Sequence, residues 1–489
     1  FADQKNSADY AYAFGVNEFV LCASAYQPWI DKYPGSTAGG KHYCLNRNNT
    51  YWEYSRPFWD YQARCSALMR KGVPVVDICV YLGQNPPVKL VTYRLPEIPE
   101  GYDFDVCTAE ALVGRTMAVD GRLTLPTGIS YSLLVIQRNN DMPLHVLRHI
   151  AGLVKGGVIV CGPRPDGSDS LKDKAESEEY RALVDELWGE LTTVSQIRKV
   201  GKGKIYENIP LSEVLKYENI RPDIAIKSGN TAKDKVYFVH RRLSDADVYF
   251  LNNHSDRAFH DTVRLRTDAR QAEYWDAVTG QRYMIPVKAS GEKGMLLNLT
   301  LAPRESGFIV TSNNQATGLL PIIADVQETI TPIEGSWNVY FDPRWGGPGK
   351  VVFDELIDWT VHADTGIRYY SGTAVYHKEL NLAIPAQNER LLLRFPRLGS
   401  LARVWVNGKE VVTVWCSPWE ADITSYVHEG KNNLKIEVVN SLMNRMIGDA
   451  SLPESERFTY AYPQIATPTD KLVPSGIMEQ LNLVYRQCQ

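Results

Sequence analysis

The feature that most constrains the fold is a change in the spacing of apolar residues near residue 223. Before it, continuous apolar runs such as PVVDICVYLG alternate with amphipathic helical segments such as HVLRHIAGLVKGG. After it, short apolar runs such as ADVYFLNNHS and SGFIVTS follow one another, separated by turn residues. The first pattern is typical of a parallel sheet with helices, and the second of antiparallel sandwiches. We therefore expect a multidomain chain, α/β in its first part and all-β in its second.

Residues 71–222 are predicted to form a doubly wound α/β domain of the flavodoxin or amidotransferase type. Its first strand is apolar throughout, as in strands buried on both faces of a parallel sheet. A charged helix at Leu171–Leu191 is expected to present a solvated face to water. The strands are expected at Pro74–Gly83, Tyr102–Cys107 and Tyr131–Gln137, with a further strand in VIVCGPRP.

The rest of the chain is predicted to form two all-β units joined by a linker. Residues 223–315 contain closely spaced strand patterns and are expected to form an antiparallel β-sandwich. Residues 316–332 are the predicted linker, and residues 333–489 the second β module. Within that module the dipeptide Asn407-Gly408 lies between two apolar runs, which is a strong signal for a β-hairpin.

Residues 1–70 are predicted to be the end of a (β/α)8 barrel. A helix is expected to run to Tyr12, followed by a strand over Glu18–Ala25 and a long loop rich in Gly, Asn, Trp and Tyr. Because Phe1 opens in the middle of a pattern, we expect the chain to be truncated at its N-terminus. Residues that follow a barrel strand face the active site, which makes the YQPW string after Ala25 a candidate part of such a site.

Composition narrows the range of partners. The formal net charge is -4 and the basic residues are scattered, which argues against nucleic acid. No apolar stretch approaches the roughly 20 residues needed to cross a bilayer, so no membrane partner is expected. The eight cysteines show no zinc-ligand spacing and no disulfide framework. Eleven Trp and 27 Tyr offer flat faces on which sugar rings stack, although most such residues fill cores.

A set of strings resembles one known family and occurs here in the order of that family. They are GVNEFVL, YQPW, NRNNTYW with PFWDYQARCSALMRKG, GYDFDVCTAEAL, TGISYSLLVI, LVKGGVIVCGPRP, RYYSGTAVY, ARVWVNGKEV and NSLMNRMIGD. Together they resemble the α-L-rhamnosidases of glycoside hydrolase family 106 over nearly the whole chain. Residues 333–489 also resemble the jelly-roll, galactose-binding-like sugar-binding domain of family 2 glycosidases.

The resemblance implies hydrolysis of terminal α-L-rhamnosyl bonds of plant polysaccharides or glycosides, with inversion. Such a reaction needs one carboxylic acid to protonate the leaving oxygen and one carboxylate, about 6.5–9.5 Å away, to activate water. The family also implies a nearby calcium ion and a periplasmic or secreted location. Its general acid lies on a strand before the segment that opens this chain, so the chain is expected to lack that acid.

Two positions are candidates for the catalytic base. Glu110 follows the strand YDFDVC in CTAEAL, and Gln84 in YLGQNPP stands where the resemblance implies a glutamate. We favour Glu110, whose alternative role is that of a helix-start carboxylate stabilised by the helix dipole. An amide at 84 cannot accept a proton from water near neutral pH. Cys22 and Tyr26 also stand where the family pattern implies histidines. The resemblance therefore supports a glycosidase more strongly than it supports rhamnose as the sugar.

The substrate-binding candidates are amide, charged and aromatic side chains near the N-terminus. Amides, carboxylates and guanidinium groups bind sugar hydroxyls, and aromatic rings stack on sugar faces. Each of these candidates also has an alternative, structural role. The amides can fix a loop, Asp60 and Arg64 can pair on the surface of a helix, and the aromatic rings can pack in the protein wall. These candidates are Asn17, Tyr26, Gln27, Trp29, Asn48, Tyr51, Trp52, Asp60 and Arg64. The DPRWGGP loop is expected to reach toward the same cleft.

Three alternatives remain open. The first is a non-catalytic carbohydrate-binding relative, suggested by Gln84 and the changed histidine positions. The second is a glycosidase of family 2 type acting on a different sugar, although those enzymes place the jelly roll before the barrel. The third is an amidotransferase, which lacks support because no Cys on a strand-helix elbow is followed by a His-Glu pair.

Overall fold

The computed structural model describes residues 1–22, 26, 35–36, 45–83, 95–137, 142–165, 167–168, 177–190, 194–229, 235–291, 293–314, 320–321, 327–462 and 464–487. Over these residues the chain forms an N-terminal helical segment, an α/β unit and two β-rich units. This agrees with the mixed α/β and all-β organisation that the sequence predicts. No helix in the described part of the chain is long and apolar enough to cross a membrane.

The N-terminal segment is built on two helices, α1 (Ala2–Ala13) and α2 (Arg56–Met69). The apolar side chains of α2 recur at helical spacing, so Phe58, Tyr61 and Cys65 lie on one buried face. A short strand β1 (Gly35–Ser36) and a 3-10 turn at Trp52–Tyr54 complete the described segment.

The strand predicted at Glu18–Ala25 is wrong over Glu18–Cys22, where the backbone forms no strand. Val20 is 96% exposed and Leu21 56% exposed. A strand needs a neighbour to accept its backbone hydrogen bonds, and none of the described strands pairs with this run. Residues 23–25 lie outside the described part, and the partial barrel stays a prediction.

The α/β unit contains a six-stranded sheet in the order β10-β11-β9-β8-β3-β4, in which only the pairing of β10 with β11 is antiparallel. After the short β2 (Val73–Pro74), the six strands of this sheet are β3 (Ile78–Tyr81), β4 (Phe104–Cys107), β8 (Leu133–Ile136), β9 (Ile159–Cys161), β10 (Gln196–Val200) and β11 (Gly203–Glu207). The unit also contains a three-stranded sheet of β5 (Met117–Val119), β6 (Arg122–Thr124) and β7 (Ser130–Tyr131). Its helices are α3 (Ala109–Arg115), α4 (Leu144–Lys155), α5 (Ser177–Trp188) and α6 (Leu211–Tyr217).

Helices cover both faces of this sheet. Helices α3, α4 and α5 share one core with it, and α6 packs on the other side through Val214 and Leu215. Helix α4 buries Leu147, Ile150 and Val154 completely, as its apolar spacing predicts. The predicted charged helix is observed as α5 and ends at Trp188, whose indole is fully buried.

The first β unit is a pair of sheets that share one core, and all their pairings are antiparallel except that of β17 with β21. Its strands are β12 (Ile224–Ile226), β13 (Val236–Arg242), β14 (Ala246–Asn253), β15 (Phe259–Leu265), β16 (Gln271–Trp275), β17 (Arg282–Ile285), β18 (Val287–Ala289), β19 (Met295–Leu301), β20 (Ser306–Ser312) and β21 (Leu320–Pro321). The larger sheet has the order β2-β13-β14-β20-β16-β17-β21, so β2 from the preceding segment extends its edge. The smaller sheet has the order β12-β15-β19-β18.

The C-terminal unit also packs two sheets around one large core. Its strands are β22 (Glu328–Pro332), β23 (Trp337–Phe341), β24 (Gly349–Phe353), β25 (Thr373–Leu382), β26 (Glu389–Arg394), β27 (Leu398–Gly399), β28 (Leu401–Val406), β29 (Lys409–Val414), β30 (Glu420–Asp422), β31 (Gly430–Val439), β32 (Tyr460–Ala461), β33 (Gly476–Ile477) and β34 (Asn482–Gln487), with the helices α7 (Thr365–Arg368) and α8 (Met443–Asp449). The six-stranded sheet has the order β24-β23-β25-β31-β28-β29, and the four-stranded sheet β22-β34-β26-β30.

The hairpin predicted at Asn407-Gly408 is present between β28 and β29. Both residues have positive φ, 51° and 77°, which a two-residue hairpin turn of this kind requires. Asn tolerates this conformation and Gly adopts it without steric cost, which is why the dipeptide identifies the turn from sequence.

The N-terminal segment lies between the two β units. Phe58 and Tyr61 of α2 contact Trp415 edge-on, at ring-centroid distances of 5.7 and 5.8 Å. Tyr12 of α1 meets Phe250 of the first β unit in the same way, at 5.8 Å. These side chains form one continuous apolar cluster, so the segment joins the two β units rather than folding by itself.

Candidate functional site

A cleft of about 450 Å³ lies between the N-terminal segment and the C-terminal unit. One wall comes from the NRNNTYW string and the other from the DPRWGGP loop and the RYYSGTAVY string. Asn48 was predicted to bind substrate and DPRWGGP to reach the cleft, and the structure brings the two together here. The lining residues are Arg47, Asn48, Thr50, Glu53, Asp342, Arg344, Trp345, Tyr370, Gly372 and Thr373.

The Asn48 wall is fixed by hydrogen bonds along its backbone. Asn48 N–H donates to Asn46 Oδ1 at 3.0 Å, and its carbonyl accepts from the Gly35 N–H at 3.2 Å. Gly35 belongs to β1, which pairs in parallel with β32 of the C-terminal unit. Thr50 Oγ1 donates to the carbonyl of Asn440. The loop is therefore tied to the C-terminal unit at two points, and Asn48 itself is 3% exposed.

Asn440 holds the floor of the cleft. Its Nδ2 donates to the Tyr370 carbonyl at 2.8 Å and to Ser475 Oγ at 2.9 Å, and its Oδ1 accepts from the Gly372 N–H at 3.0 Å. The side chain is 2% exposed and uses both ends of its amide. Tyr370 and Gly372 line the cleft, so the NSLMNRMIGD string positions the RYYSGTAVY string.

Helix α8 also supports the floor of the cleft. Arg445 Nε donates to Asp449 Oδ1 at 2.9 Å, and Asp449 Oδ2 accepts from the backbone and side chain of Thr459 at 2.8 and 2.6 Å. Both charged side chains are almost fully buried, at 7% and 1% exposure. The Arg445 backbone N–H donates to Ser371 Oγ at 2.9 Å. Because both charges are buried, removal of either partner would leave the other unpaired, at a cost of about 3–5 kcal/mol.

The opposite wall is a short 3-10 turn that begins after Asp342. Asp342 accepts hydrogen bonds from the Arg344 backbone N–H at 2.9 Å and from the Arg344 guanidinium at 2.6 Å. These bonds hold the pKa of Asp342 below its ordinary value, so it acts as an acceptor near neutral pH. Gly346 ends the turn with φ of 78°, and a Cβ there would approach the Arg445 guanidinium to 3.0 Å. This close approach explains the glycine.

The groups that meet in the cleft suit a hydroxyl-rich, partly flat ligand. Trp345 provides an indole, Asp342 and Glu53 provide acceptors, and Arg47 and Arg344 provide donors. The Tyr370 hydroxyl is already engaged, because it accepts from the Asp342 N–H and donates to the Thr373 carbonyl, both at 3.0 Å. Tyr370 therefore shapes the floor rather than offering a proton.

The other predicted binding residues are dispersed. Tyr51 and Trp52 follow Asn48 on the same loop and are half-buried, and Tyr51 packs edge-on against Phe1 at a ring-centroid distance of 5.0 Å. Asn17 and Tyr26 are exposed. These four do not line the described cleft. Gln27 and Trp29 lie outside the described residues.

The remaining two candidates, on α2, make structural contacts. Asp60 faces Arg56 at 3.6 Å, one turn away, instead of the expected partner Arg64. Arg64 Nη1 donates to the carbonyls of Ala277 and Val278, both at 3.0 Å. Arg64 therefore ties α2 to the turn after β16, which the four-residue spacing on the helix did not reveal.

Glu110 occupies the exposed first turn of α3, and does not line the cleft. Its pKa is lowered by hydrogen bonds from its own backbone N–H and from the side chain of Thr108. Thr108 is the N-cap, and its Oγ1 accepts from the Ala111 N–H at 3.4 Å. These contacts are those of a helix-start carboxylate. Gln84 lies outside the described residues.

Several residues of the cleft were not singled out from the sequence. Tyr370, Thr373 and Asn440 belong to strings that carried the family resemblance, and Asp342 belongs to the DPRWGGP loop, yet the strings alone did not show that these residues meet in space. A covariation signal between the 46–52 loop and Asn440 would have revealed the contact, whereas a single sequence contains none.

The calcium ion implied by the family has no evident carboxylate site in the part of the chain described. Over those residues, no three His, Cys, Asp or Glu side chains come close enough together to hold a metal ion. Calcium needs several oxygen ligands. Calcium therefore stays an implication of the family resemblance, and no chemical step is assigned to it.

Comparison with known proteins shows which families and structures this chain resembles. Residues 2–288 match the glycoside hydrolase family 106 model, described as alpha-L-rhamnosidase, and residues 324–485 match the sugar binding domain of glycosyl hydrolases family 2. A rhamnosidase structure from Novosphingobium sp. PP1Y superposes with a TM-score of 0.89 at 29% identity, covering 99% of this chain and 46% of that one. A protein from Formosa agariphila, named a candidate beta-glucuronidase, is 23% identical, with 92% of this chain and 57% of that protein covered. The chain thus spans about half the length of these relatives.

Proposed function

Because this chain belongs to glycoside hydrolase family 106, the alpha-L-rhamnosidases, we propose that the protein hydrolyses terminal α-L-rhamnosyl bonds of plant polysaccharides or glycosides with inversion. The observation that carries the proposal is the cleft, in which two of the strings typical of the family, NRNNTYW and RYYSGTAVY, meet the DPRWGGP loop around Asn48, Trp345 and Tyr370. Its mixture of an indole with paired donors and acceptors is what recognition of a sugar ring requires.

Inverting hydrolysis needs a neutral carboxylic acid and an ionised carboxylate. Glu110, which follows β4, stays the candidate base because inverting hydrolysis needs a carboxylate that accepts a proton from water. Its exposed place on α3 favours a capping role instead. Substitution separates the two roles: Glu110→Gln abolishes turnover if Glu110 is the base, whereas a capping role leaves kcat unchanged. Gln84→Glu increases kcat if position 84 is where the base belongs.

The direct test is an assay of the protein expressed from its complete gene. We expect release of rhamnose from an aryl α-L-rhamnoside, and proton NMR at early times should detect the β-anomer that inversion produces. Failure to cleave this substrate defeats the proposal, and initial release of the α-anomer defeats inversion.

The cleft is tested separately by two substitutions. Asn48→Ala and Trp345→Ala should each raise KM about tenfold, because each removes a contact to the bound sugar. Tyr217→Ala, at an exposed tyrosine of the α/β unit, serves as the control and should leave KM unchanged. Equal KM in all three variants would show that the sugar binds elsewhere.

A second candidate is hydrolysis of a glycoside of an acidic sugar. The Formosa agariphila relative is named for β-glucuronides, and Arg47 and Arg344 line the cleft. Guanidinium groups pair with carboxylates, which uronic acids carry and rhamnose lacks. An aryl β-glucuronide in the same assay decides between them. Calorimetry with plant oligosaccharides identifies the third case, a protein that binds sugar without turnover.

A further inference from the structure

A second concave surface lies on the C-terminal unit, away from the residues that line the cleft. This groove has a volume of about 510 Å³ and opens on the outward face of the six-stranded sheet. Its lining residues are Asn338, His377, Lys378, Glu379, Trp405, Gly408, Asn433, Leu434 and Lys435.

Trp405 is the aromatic residue of the groove, and strand alternation places it outside the core. Its neighbours Val404 and Val406 are buried, at 0% and 2% exposure, so the residue between them points to the opposite face. The register of the sheet then aligns Trp405 with Lys435, Lys435 with His377, and His377 with Asn338. One row of side chains therefore crosses four strands.

The groove and the cleft are the two ends of one surface. Along β23 and the residue after it, Asn338 lines the groove, Tyr340 is 40% exposed, and Asp342 lines the cleft. The neighbouring strand β25 repeats this order, with His377 in the groove and Thr373 in the cleft. Four residues of strand span roughly 13 Å. An extended ligand can lie along these two strands from one end to the other.

The charges of the groove are already paired within the protein. Lys435 Nζ lies 2.9 Å from Glu437 Oε1, and Lys431 Nζ lies 2.9 Å from Glu379 Oε1. Lys378 Nζ donates to the carbonyls of Gly335 and Ser336. Two of the three ammonium groups are thus offset by carboxylates and the third is held by backbone carbonyls, so the groove has little net charge with which to attract an ionic ligand.

The polar groups that remain suit sugar hydroxyls. The Trp405 Nε1–H is buried and has no acceptor among the residues that the structure describes, which is unusual for an indole. Burial lowers the pKa of His377, and the nearby Lys435 lowers it further, so the imidazole is neutral and offers one donor and one acceptor. The exposed amides of Asn338 and Asn433 add both kinds of group.

We propose that the face between the cleft and Trp405 holds the continuation of a neutral oligosaccharide whose terminal sugar occupies the cleft. This inference rests on the proposed function and specifies it. The preferred substrate is an oligo- or polysaccharide, and Trp405 determines the preference for chain length.

The test compares a long with a short substrate. Trp405→Ala should raise KM for a rhamnose-terminated plant oligosaccharide about tenfold, the loss expected for one aromatic contact, and leave KM for an aryl α-L-rhamnoside unchanged. Trp405→Phe should retain most of the affinity, because it keeps a stacking ring. Tyr217→Ala should change neither value. An equal effect on both substrates, or no effect on the oligosaccharide, overturns the inference.

Two further measurements keep the outcome decisive. If Trp405→Ala lowers the melting temperature strongly, the double variant Asn338→Ala with His377→Ala replaces it, because both positions are exposed. If the protein cleaves no rhamnoside, the proposed function fails, and calorimetry with the same oligosaccharide tests the surface alone. Binding that weakens about tenfold in Trp405→Ala supports the surface, and equal binding by both proteins refutes it.

Discussion

Buried amide and charged side chains determine the position of the cleft walls. Asn440 joins three segments that are distant in sequence, through the carbonyl of Tyr370, the N–H of Gly372 and the hydroxyl of Ser475. Tyr370 and Gly372 line the cleft, whereas Asn440 and Ser475 do not. The cleft therefore depends on residues that would be assigned no role by proximity to substrate.

Asn440→Ala should destabilise the protein by about 3 kcal/mol, because several buried hydrogen-bond partners lose their bonds together. The urea midpoint of unfolding measures the change. Asn381→Ala, at an exposed asparagine on β25 of the same sheet, should stay within about 0.5 kcal/mol of the unmodified protein. Similar midpoints for both variants would show that the Asn440 bonds contribute little.

At the level of helices and strands, a buried polar cluster attaches α1 to α2 and β20. Lys5 Nζ lies 2.7 Å from Asp9 Oδ2 and 2.8 Å from Ser306 Oγ, and Tyr61 OH donates to Asp9. Lys5 and Asp9 are 1% and 0% exposed. Burial by itself lowers the pKa of Lys5, but Asp9 outweighs this effect and the net shift is upward. The ammonium therefore stays charged and links α1 to α2 and β20.

Lys5→Ala should destabilise the protein by about 3–5 kcal/mol, because Asp9 is left buried without its cation. The double variant Lys5→Met with Asp9→Leu should recover most of that loss, since no unpaired charge remains. Arg56→Ala breaks a pair of the same spacing on the surface of α2 and should cost about 0.5 kcal/mol or less. Chemical denaturation of the four proteins checks this order, and a double variant as unstable as Lys5→Ala would contradict it.

The elements that the sequence predicted well are those whose signal is local. Helix α4 was predicted from its apolar spacing, and the turn at Asn407 from its conformational demand for positive φ. The strand proposed at Glu18–Ala25 failed over its described part because apolar composition indicates a strand only where a partner strand exists. Among predicted site residues, Asn48 lines the cleft, whereas Arg64 binds backbone carbonyls of the first β unit. Which of these two residues lines the cleft depends on long-range contacts, and a single sequence does not reveal such contacts.

At the scale of the whole molecule, an ionic network joins the α/β unit to the first β unit. Arg266 Nη2 donates to Asp77 Oδ2 at 2.8 Å, and Arg266 Nε donates to Asp223 Oδ1 at 3.1 Å. His240 is buried between Asp223 and Asp247, with ring nitrogens 2.9 and 3.0 Å from their carboxylates. The network borders a cavity of about 1130 Å³ between the two units. Because the charges of this network are paired with one another, we assign the network a structural role at the junction of the two units.

The stability that His240 contributes should depend on pH. Burial lowers the pKa of His240, but hydrogen bonds to Asp223 and Asp247 raise it above the ordinary 6.5 overall. A raised pKa in the folded state gives stability that is fully present below 6.5 and is lost as the pH rises through the folded value. The difference in unfolding free energy between the protein and His240→Gln should therefore shrink toward alkaline pH. Urea unfolding across a pH series measures it.

His260→Gln provides the control for this series, because His260 is an exposed histidine of the same β unit. Its difference from the unmodified protein should be small, because its side chain is exposed. A His240→Gln difference that stays constant or grows on the alkaline side would show that the imidazole is neutral in the folded protein.

The position of the N-terminal helices has a consequence for synthesis of the protein. Phe58 and Tyr61 leave the ribosome several hundred residues before their partner Trp415. Until then these aromatic rings lack part of their final cover, and contacts so distant in sequence form slowly. The nascent chain therefore presents a binding site for chaperones until Trp415 has been synthesised. Cells that express it with limited chaperone capacity should accumulate aggregated chains rather than folded ones.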